Sequence, residues 1–398
     1  MVKKNRGVAI VVGLCLIPSM LSGCLSESID GSVVAAPSFE YGIDTTTYDS
    51  MRSTTPHHIN ETVADAIFVD AEVILPEAIG VAVYNAEPAL LGVQDRAFRA
   101  FFPEEQPDEV PADSLYWKYD DLTDLQYEED GGDGILVGCD SVGFSVGDFV
   151  ERYDAIDFNM PDGALLAPYA QEELVQFSSQ EAVEHAQALL RSFGINEVSS
   201  IEVYALSAGS MQQVKEDYVL SMQRSYEELD DFDTGVYAQD LAELERMRNI
   251  VYTTEDEMYS VHVHLTSKGV PLNTTSYGNR LGMRYEGDEH VDMSFLHIYV
   301  GKEGIRRVDS RNLFTVGSKI QGKDRLISVD EALNVLATKF GSIVGTDSMH
   351  IDEISLEYCA MPDSGSETGI VLVPAWVFQN ADDPDYGIRV NALTAEVI

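Results

Sequence analysis

A run of small residues after a β-rich stretch is the part of the chain that comes nearest to an enzyme motif. Ala205-Leu206-Ser207-Ala208-Gly209 follows a predicted strand and precedes a predicted helix, as the nucleophile elbow of a hydrolase does, with alanine at the first glycine position. A serine nucleophile also needs a histidine base and an acid. Candidate bases lie downstream: His262, His264, His290, His297 and His350. A serine hydrolase that uses Ser207 is therefore one hypothesis.

Three features favour an ordinary turn at Ser207 instead. No His-Gly-Gly oxyanion motif precedes it, and no series of parallel βαβ units is visible. The second copy of an internal repeat also has a direct strand-to-strand connection at the equivalent point. We therefore predict that the chain is not an enzyme, and we assign no catalytic residue.

Two histidines at alternate positions are the candidate for metal binding. His262 and His264 lie on one face of a predicted strand, and Val261, Val263 and Leu265 lie on the other. Two such side chains can begin a zinc site. No third ligand stands at a suitable spacing, so the pattern favours the polar face of a sheet. His57 and His58 fall in a polar segment and favour solvated side chains.

Two acidic turns are candidates for calcium. Asp382, Asp383 and Asp385 crowd one of them, and Asp130-Gly131-Gly132-Asp133-Gly134 forms the other. Oxygen-rich turns can hold calcium, but neither follows the twelve-residue EF-hand spacing. Asp, Gly and Pro are also the residues that hairpin turns prefer. We predict no metal and no cofactor, and a cation-binding or small-molecule-binding protein remains an alternative.

Five aromatic residues have two possible roles, which are lining a ligand groove and packing in the core. The residues concerned are Trp117, Tyr252, Tyr259, Tyr277 and Trp376. Aromatic side chains on strands usually pack in a core.

The N-terminal stretch has chemistry of its own at Cys24. Lys3, Lys4 and Arg6 precede an apolar run that ends in Leu21-Ser22-Gly23-Cys24. This order is typical of a secretory signal and is too short for a membrane-spanning helix. The ending resembles the lipobox of bacterial lipoproteins, in which the cysteine takes a lipid and becomes the first mature residue. The resemblance implies a signal peptide over residues 1–23, lipid on Cys24 and the extracytoplasmic face of the cell membrane.

The charge of the chain argues against nucleic acid. The net charge is −43, and removing residues 1–23 takes away three cationic residues and no acid, which leaves −46. Such a surface repels phosphate backbones and anionic headgroups. We therefore expect membrane attachment through the lipid alone. The acidity favours solubility or adaptation to salt, and it is also compatible with a cationic ligand or partner.

The rest of the chain divides by pattern. Residues 24–64 are rich in Ser, Thr and Asp and predict a flexible tether. Residues 65–175 alternate short apolar runs with turns and predict a first α+β domain. Its predicted strands include Ile67–Leu75, Ile79–Tyr84 and Gly134–Val137, and its predicted helix is Gln94–Phe102. Cys139 and Cys359 remain in the mature chain, and the sequence allows either a disulfide between them or two buried free thiols.

The second half of the chain contains an internal repeat. Ser178 and Glu181 form a capping box before an amphipathic helix that Gly194 can end. Ser328 and Glu331 form the same box 150 residues later, and a strand follows each helix. We predict two related units, over residues 176–325 and 326–398. The first carries a helical insertion over residues 209–256.

These strands resemble a known family. Tyr259–Leu265 with Gly269-Val270-Pro271 resembles the strand and Gly-Ile-Pro turn of uncharacterised Gram-positive, mainly clostridial, extracytoplasmic lipoproteins. Leu372–Phe378 and Val390–Thr394 resemble the closing hairpin of that family. The C-terminal halves of the family are similar to PepSY-like domains and to the YycH and YycI regulators of the WalK sensor kinase. The family hairpin commonly closes on Asp-Gly, where this chain has Thr394-Ala395.

The sequence thus predicts an α+β protein with antiparallel sheets, each covered by helices, and a duplicated helix-plus-strands unit in the C-terminal half. We expect an acidic, lipid-anchored protein with a non-catalytic binding or regulatory role at the cell envelope. The resemblance implies an envelope protein as partner, such as a sensor kinase, a peptidase or a wall enzyme. The kinase regulators are anchored by a transmembrane helix, and none is predicted here once the signal is removed.

Overall fold

The elements of the fold are known from a computed structural model, which describes residues 45–64, 66–78, 80–112, 119, 122–129, 132–147, 149–157, 166–171, 173–227, 234–274, 294–320, 325–340, 348–363, 365–381 and 383–398. The helices are α1 (Thr45–Thr54), α2 (Gln94–Arg99), α3 (Phe149–Asp157), α4 (Ser179–Phe193), α5 (Ala208–Glu227), α6 (Thr234–Asn249) and α7 (Val329–Phe340). The strands are β1 (His58–Ala64), β2 (Ile67–Ile74), β3 (Tyr84–Pro88), β4 (Asp108–Pro111), β5 (Thr123–Glu128), β6 (Gly134–Val137), β7 (Val142–Ser145), β8 (Val198–Leu206), β9 (Met258–Ser267), β10 (Val270–Pro271), β11 (Phe295–Gly301), β12 (Gly304–Arg311), β13 (Phe314–Lys319), β14 (Met349–Pro362), β15 (Ile370–Asn380) and β16 (Asp383–Asn391).

The strands form two sheets. The first sheet has the order β1-β2-β14-β15-β3-β13, with β16 also beside β15. The second has the order β10-β9-β11-β12-β7-β6-β5-β4, with β8 also beside β9. The described strand pairs are antiparallel except β2 and β14, which run in parallel. The predicted α+β class is confirmed.

The internal repeat is visible in the connections. In the first copy, α4 leads into β8, which pairs with β9, and β9 pairs with β11. In the second, α7 leads into β14, which pairs with β15, and β15 pairs with β16. Both capping boxes form: Glu181 N donates to Ser178 Oγ over 3.3 Å and Glu331 N to Ser328 Oγ over 3.2 Å. The duplicated unit is confirmed.

The helical insertion and the C-terminal end of α4 also agree with the sequence prediction. Helices α5 and α6 occupy the predicted insertion between β8 and β9. Gly194 caps α4 at φ 77°, a left-handed conformation that glycine adopts without strain.

The structure differs from the sequence prediction before residue 65. Helix α1 and strand β1 lie in the segment predicted as a tether. Tyr48 is fully buried and its hydroxyl donates to Pro76 O over 2.6 Å, while Met51 and Ile59 also join the core. A few large apolar residues therefore hold this polar segment against the first sheet. Residues 1–44, including the predicted signal and Cys24, lie outside the described residues.

The predicted first domain contributes strands to both sheets. Strands β2 and β3 lie in the first sheet with β14 and β15, whereas β4 to β7 continue the second sheet beyond β12. Strand β3 begins at Tyr84, where the predicted strand ends, and runs to Pro88. Pro88 pairs with Phe314 of β13, and among the described residues β15 pairs only with Tyr84 and Asn85 of β3, so Pro88 has a strand neighbour on one side alone, as a proline in an edge strand does.

Several aromatic residues and both cysteines that the sequence analysis singled out are buried in the core. Trp376 is fully buried and its Nε1 donates to Ile327 O over 3.0 Å, and Tyr259 is fully buried as well. These two residues pack in the core, whereas Trp117 and Tyr277 lie outside the described residues. Cys139 and Cys359 are buried free thiols. Burial raises the pKa of each to about 12, so neither thiol ionises near neutral pH. Among the described helices, none combines the length and hydropathy that a bilayer span requires.

Candidate functional site

Strand β8 lies at an edge of the second sheet. It pairs with β9 along its length, from Val198 beside Leu265 to Leu206 beside Met258. On the opposite side, the described part of the chain offers one bridge, in which Gln171 N donates to Ala205 O over 3.0 Å near the end of the strand. Most of the outer backbone edge of β8 therefore lacks a strand partner among the described residues.

The inward face of β8 is apolar and incompletely covered. Val198, Ile201 and Val203 pack against the main core but remain partly exposed. Their counterparts in β14, which are Ile351, Ile354 and Leu356, are at most 1% exposed. The difference follows from the neighbours, because β14 has β15 on one side and β2 on the other. Apolar surface left in water at β8 is surface that a ligand strand can bury.

The outward face of β8 is polar and carries a fixed negative charge. Tyr204 Oη donates to Glu202 Oε2 over 2.7 Å, and His264 Nε2 lies 3.5 Å from Glu202 Oε1. The contact with His264, helped by Tyr204 and opposed by partial burial, lowers the pKa of Glu202 to about 2. Glu202 is therefore a carboxylate at any physiological pH.

A buried histidine pair lies one strand further in. Ser260 Oγ is 2.9 Å from His262 Nε2 and 2.7 Å from His297 Nε2, and all three residues are at most 2% exposed. Because the hydroxyl has one proton to donate, one neutral ring accepts at Nε2 and the other donates there. Burial, with His262 and Arg307 nearby, holds the pKa of His297 well below 6.5, so this ring stays neutral.

The structure places His262 and His264 on one face of β9, as predicted, with Val261 and Val263 buried on the other. Strand β11 adds His297 directly across from His262, a neighbour that spacing along the sequence does not reveal. The Nε2 atoms of His262 and His297 both face Ser260, so they do not converge on an open position. Within the residues that the structure describes, no set of three or more ligands is arranged for a metal. His58 lies on β1 and contacts Asp70 over 2.9 Å at the surface.

Ser207 follows β8 and caps α5. Its carbonyl accepts from Met211 N over 2.9 Å, and its hydroxyl accepts from Ser210 N over 3.1 Å and from Gln171 Nε2 over 2.9 Å. These contacts are those of a helix N-cap. In the described residues no histidine hydrogen-bonds to the Ser207 hydroxyl, and His290 lies outside them. The arrangement seen at Ser207 is that of a structural turn.

A polar cluster that the sequence did not predict ties the end of the helical insertion to helix α3. Asp256 is 6% exposed and accepts from Arg152 Nε over 2.7 Å and from Arg152 Nη2 over 3.0 Å. Tyr153 Oη adds a bond of 2.6 Å, and Thr253 donates through its N–H and its hydroxyl. Lys215 of α5, 1% exposed, donates to Ile250 O. No local pattern joins these residues, because Arg152 and Asp256 are 104 positions apart.

Comparison with known proteins places the fold but not the function. No protein-family model matches the chain, and no curated protein matches it. The crystal structure of an uncharacterised protein from Eubacterium rectale superposes with a TM-score of 0.55 at 15% identity, over 89% of this chain and 99% of that one. The C-terminal domain of Bacillus megaterium YpeB gives a TM-score of 0.26 at 9% identity, over 77% of this chain and 96% of that one. The first of these shows a shared fold alone.

Proposed function

We propose that this protein is a lipid-anchored, extracytoplasmic binding protein that captures another envelope protein without catalysing a reaction. The observation that carries the proposal is the open edge of β8, with apolar side chains on its inward face left partly exposed. The signal-like N-terminus and Cys24 support the location. The N-cap contacts of Ser207 support a role other than hydrolysis.

Two other edge strands, β4 and β16, are protected in ways that β8 is not. Strand β4, at the far end of the same sheet, carries Asp108, Glu109 and Pro111, which discourage pairing. Strand β16 is covered by the last residues of the chain, since Asn391 N donates to Glu396 O and Ile398 N to Arg389 O. Proteins usually blunt their free strand edges. The unprotected edge of β8 is therefore the candidate surface for strand-mediated binding.

Photo-crosslinking in living cells tests the proposal. A photoreactive amino acid at Ser200, which is exposed on β8, is compared with the same residue at Glu109 on β4. We expect one protein to be captured reproducibly from Ser200 and not from Glu109, and mass spectrometry then names it. Equal capture from both positions, or none from Ser200 in abundant folded protein, would contradict the proposal.

The location has a separate test. Cys24→Ser removes the lipid acceptor, so the variant is expected to leave the membrane fraction for the medium or a soluble fraction. Immunoblotting of fractionated cells measures this. A variant that stays with the membrane contradicts lipid anchoring at Cys24 while leaving the crosslinking result unaffected.

A further inference from the structure

The two copies of the repeat match residue by residue at their first strands. Both strands carry a register irregularity, between Val198 and Ser200 in β8 and between Ile351 and Glu353 in β14, against the strand that follows in each copy. An offset of 153 positions superposes both irregularities. The same offset carries Ile201 onto Ile354, which gives a common register for the two strands.

The offset also superposes the three inward apolar positions of each strand. In β8 these are Val198, Ile201 and Val203, and in β14 they are Ile351, Ile354 and Leu356. Because spacing, irregularity and orientation agree, β14 is a template for the surroundings of β8.

The template has a neighbour that β8 lacks. Strand β2 runs parallel to β14 on the side away from β15, with Val69 beside Ile351 and Val73 beside Ile354. The inward residues of β2 are apolar and alternate with exposed ones. In the first copy, the described chain leaves the equivalent position beside Val198 and Ile201 open.

We propose that an extended segment of the protein partner fills this position and pairs in parallel with β8. Its inward side chains are apolar and β-branched, as Val69 and Val73 are, and they complete the cover of Val198 and Ile201. Its outward side chains are neutral or basic, because the Glu202 carboxylate and the strongly acidic chain repel acids. The inference rests on the proposed function and adds the strand orientation, the register and the chemistry of the bound segment.

A synthetic peptide can serve as the probe. We choose the sequence of residues 66–75, which contains β2, with threonine in place of the outward-facing Asp70 and Glu72 and with two lysines added at each end for solubility. A control peptide replaces the residues equivalent to Val69 and Val73 with lysine. Binding to the full mature protein is measured by fluorescence anisotropy. We expect saturable binding below about 1 mM for the probe and at least about tenfold weaker binding for the control peptide.

Two substitutions in the protein test the location. Ile201→Lys and Val203→Lys each put a charge on the partly exposed inward face of β8, which blocks edge pairing. Val251→Lys changes a residue that is 69% exposed in the loop after α6 and is the matched control. We expect each β8 variant to weaken probe binding at least about tenfold and the control to leave it unchanged. Circular dichroism checks that all three fold.

Crosslinks from the ends of the probe determine its direction. A benzophenone at the N-terminal end should label residues 196–199, and one at the C-terminal end should label residues 203–206. The reverse pattern would overturn parallel pairing, and a dimer of this chain through β8 that excludes the probe would overturn a peptide occupant. No probe binding at about 1 mM, while in-cell capture from Ser200 survives Ile201→Lys, would overturn strand addition and leave the proposed function standing. An empty in-cell capture would remove the proposed function itself.

Discussion

The Asp256 cluster allows a sharp test of how the helical insertion is held. Burial alone raises the pKa of Asp256, but the bonds from Arg152, Tyr153 and Thr253 outweigh it and hold the pKa below its usual range. Asp256→Asn keeps one acceptor oxygen and replaces the other with an amide donor. That donor then faces other donors, Arg152 Nη2 and the Thr253 N–H, which lie 3.0 Å and 2.7 Å from Asp256 Oδ2.

The expected loss can be worked from the geometry. Breaking a buried ion pair by removing one partner costs about 3–5 kcal/mol. The Arg152 side chain is 31% exposed, so water compensates it in part and the lower end of that range applies. We therefore expect Asp256→Asn to lower the free energy of unfolding by about 3 kcal/mol at pH 7.

Urea unfolding followed by circular dichroism measures the change. The matched control is Asp95→Asn, which breaks an exposed pair with Arg99 whose N–O distance is 3.0 Å. That control is expected to cost less than about 0.5 kcal/mol. A loss below about 1 kcal/mol for Asp256→Asn would refute the reasoning. Because the folded pKa of Asp256 lies below the unfolded value near 4, the advantage of the wild type is expected to shrink as the pH falls below about 4.

Three further predictions concern single residues. Because the pKa of His297 is depressed in the folded protein, this side chain binds a proton near pH 6.5 in the unfolded chain but not in the folded one. The wild type therefore loses stability between pH 7 and 5.5, and His297→Phe should remove about 1.2 kcal/mol of that loss. An unchanged pH dependence of the free energy of unfolding in urea would contradict this. Ala395 has φ 60°, which costs alanine about 1–2 kcal/mol, so Ala395→Gly should raise the melting temperature, whereas Ala392→Gly should lower it. Ser207→Ala should cost about 1 kcal/mol as a lost N-cap and should not alter labelling by a fluorophosphonate, whereas labelling that disappears in the variant would revive the serine hydrolase.

Much of the second half could be predicted because its signals are local. Ser178 and Glu181 are three residues apart, and the left-handed Gly194 stands at the end of the same helix. The alternation around His262 likewise assigns residues to faces of a strand. Such patterns give elements and faces, but they do not give the neighbours of a strand.

The missed features all depend on distant contacts. The sequence assigns His262 to a polar face, yet His297 becomes its neighbour through the register of β11, 35 positions later. Strand β2 was predicted, but its parallel pairing with β14 joins Val69 to Ile351, and no signal at either place indicates the other. The open edge of β8 is the position that β2 occupies beside β14, so it follows from that distant pairing and not from any pattern within β8.

The order of strands in the first sheet also sets the order in which it can form. Strands β2 and β3 are close in sequence, yet β14 and β15 lie between them in the sheet. A chain that emerges N-terminus first therefore presents two strand edges with a gap of two strands, which stays open until nearly 300 residues later. Such long-range closure is slow, and unpaired edges invite wrong pairing in the meantime. We expect folding of this protein to depend on factors that keep the early strands from pairing wrongly until β14 and β15 have been made.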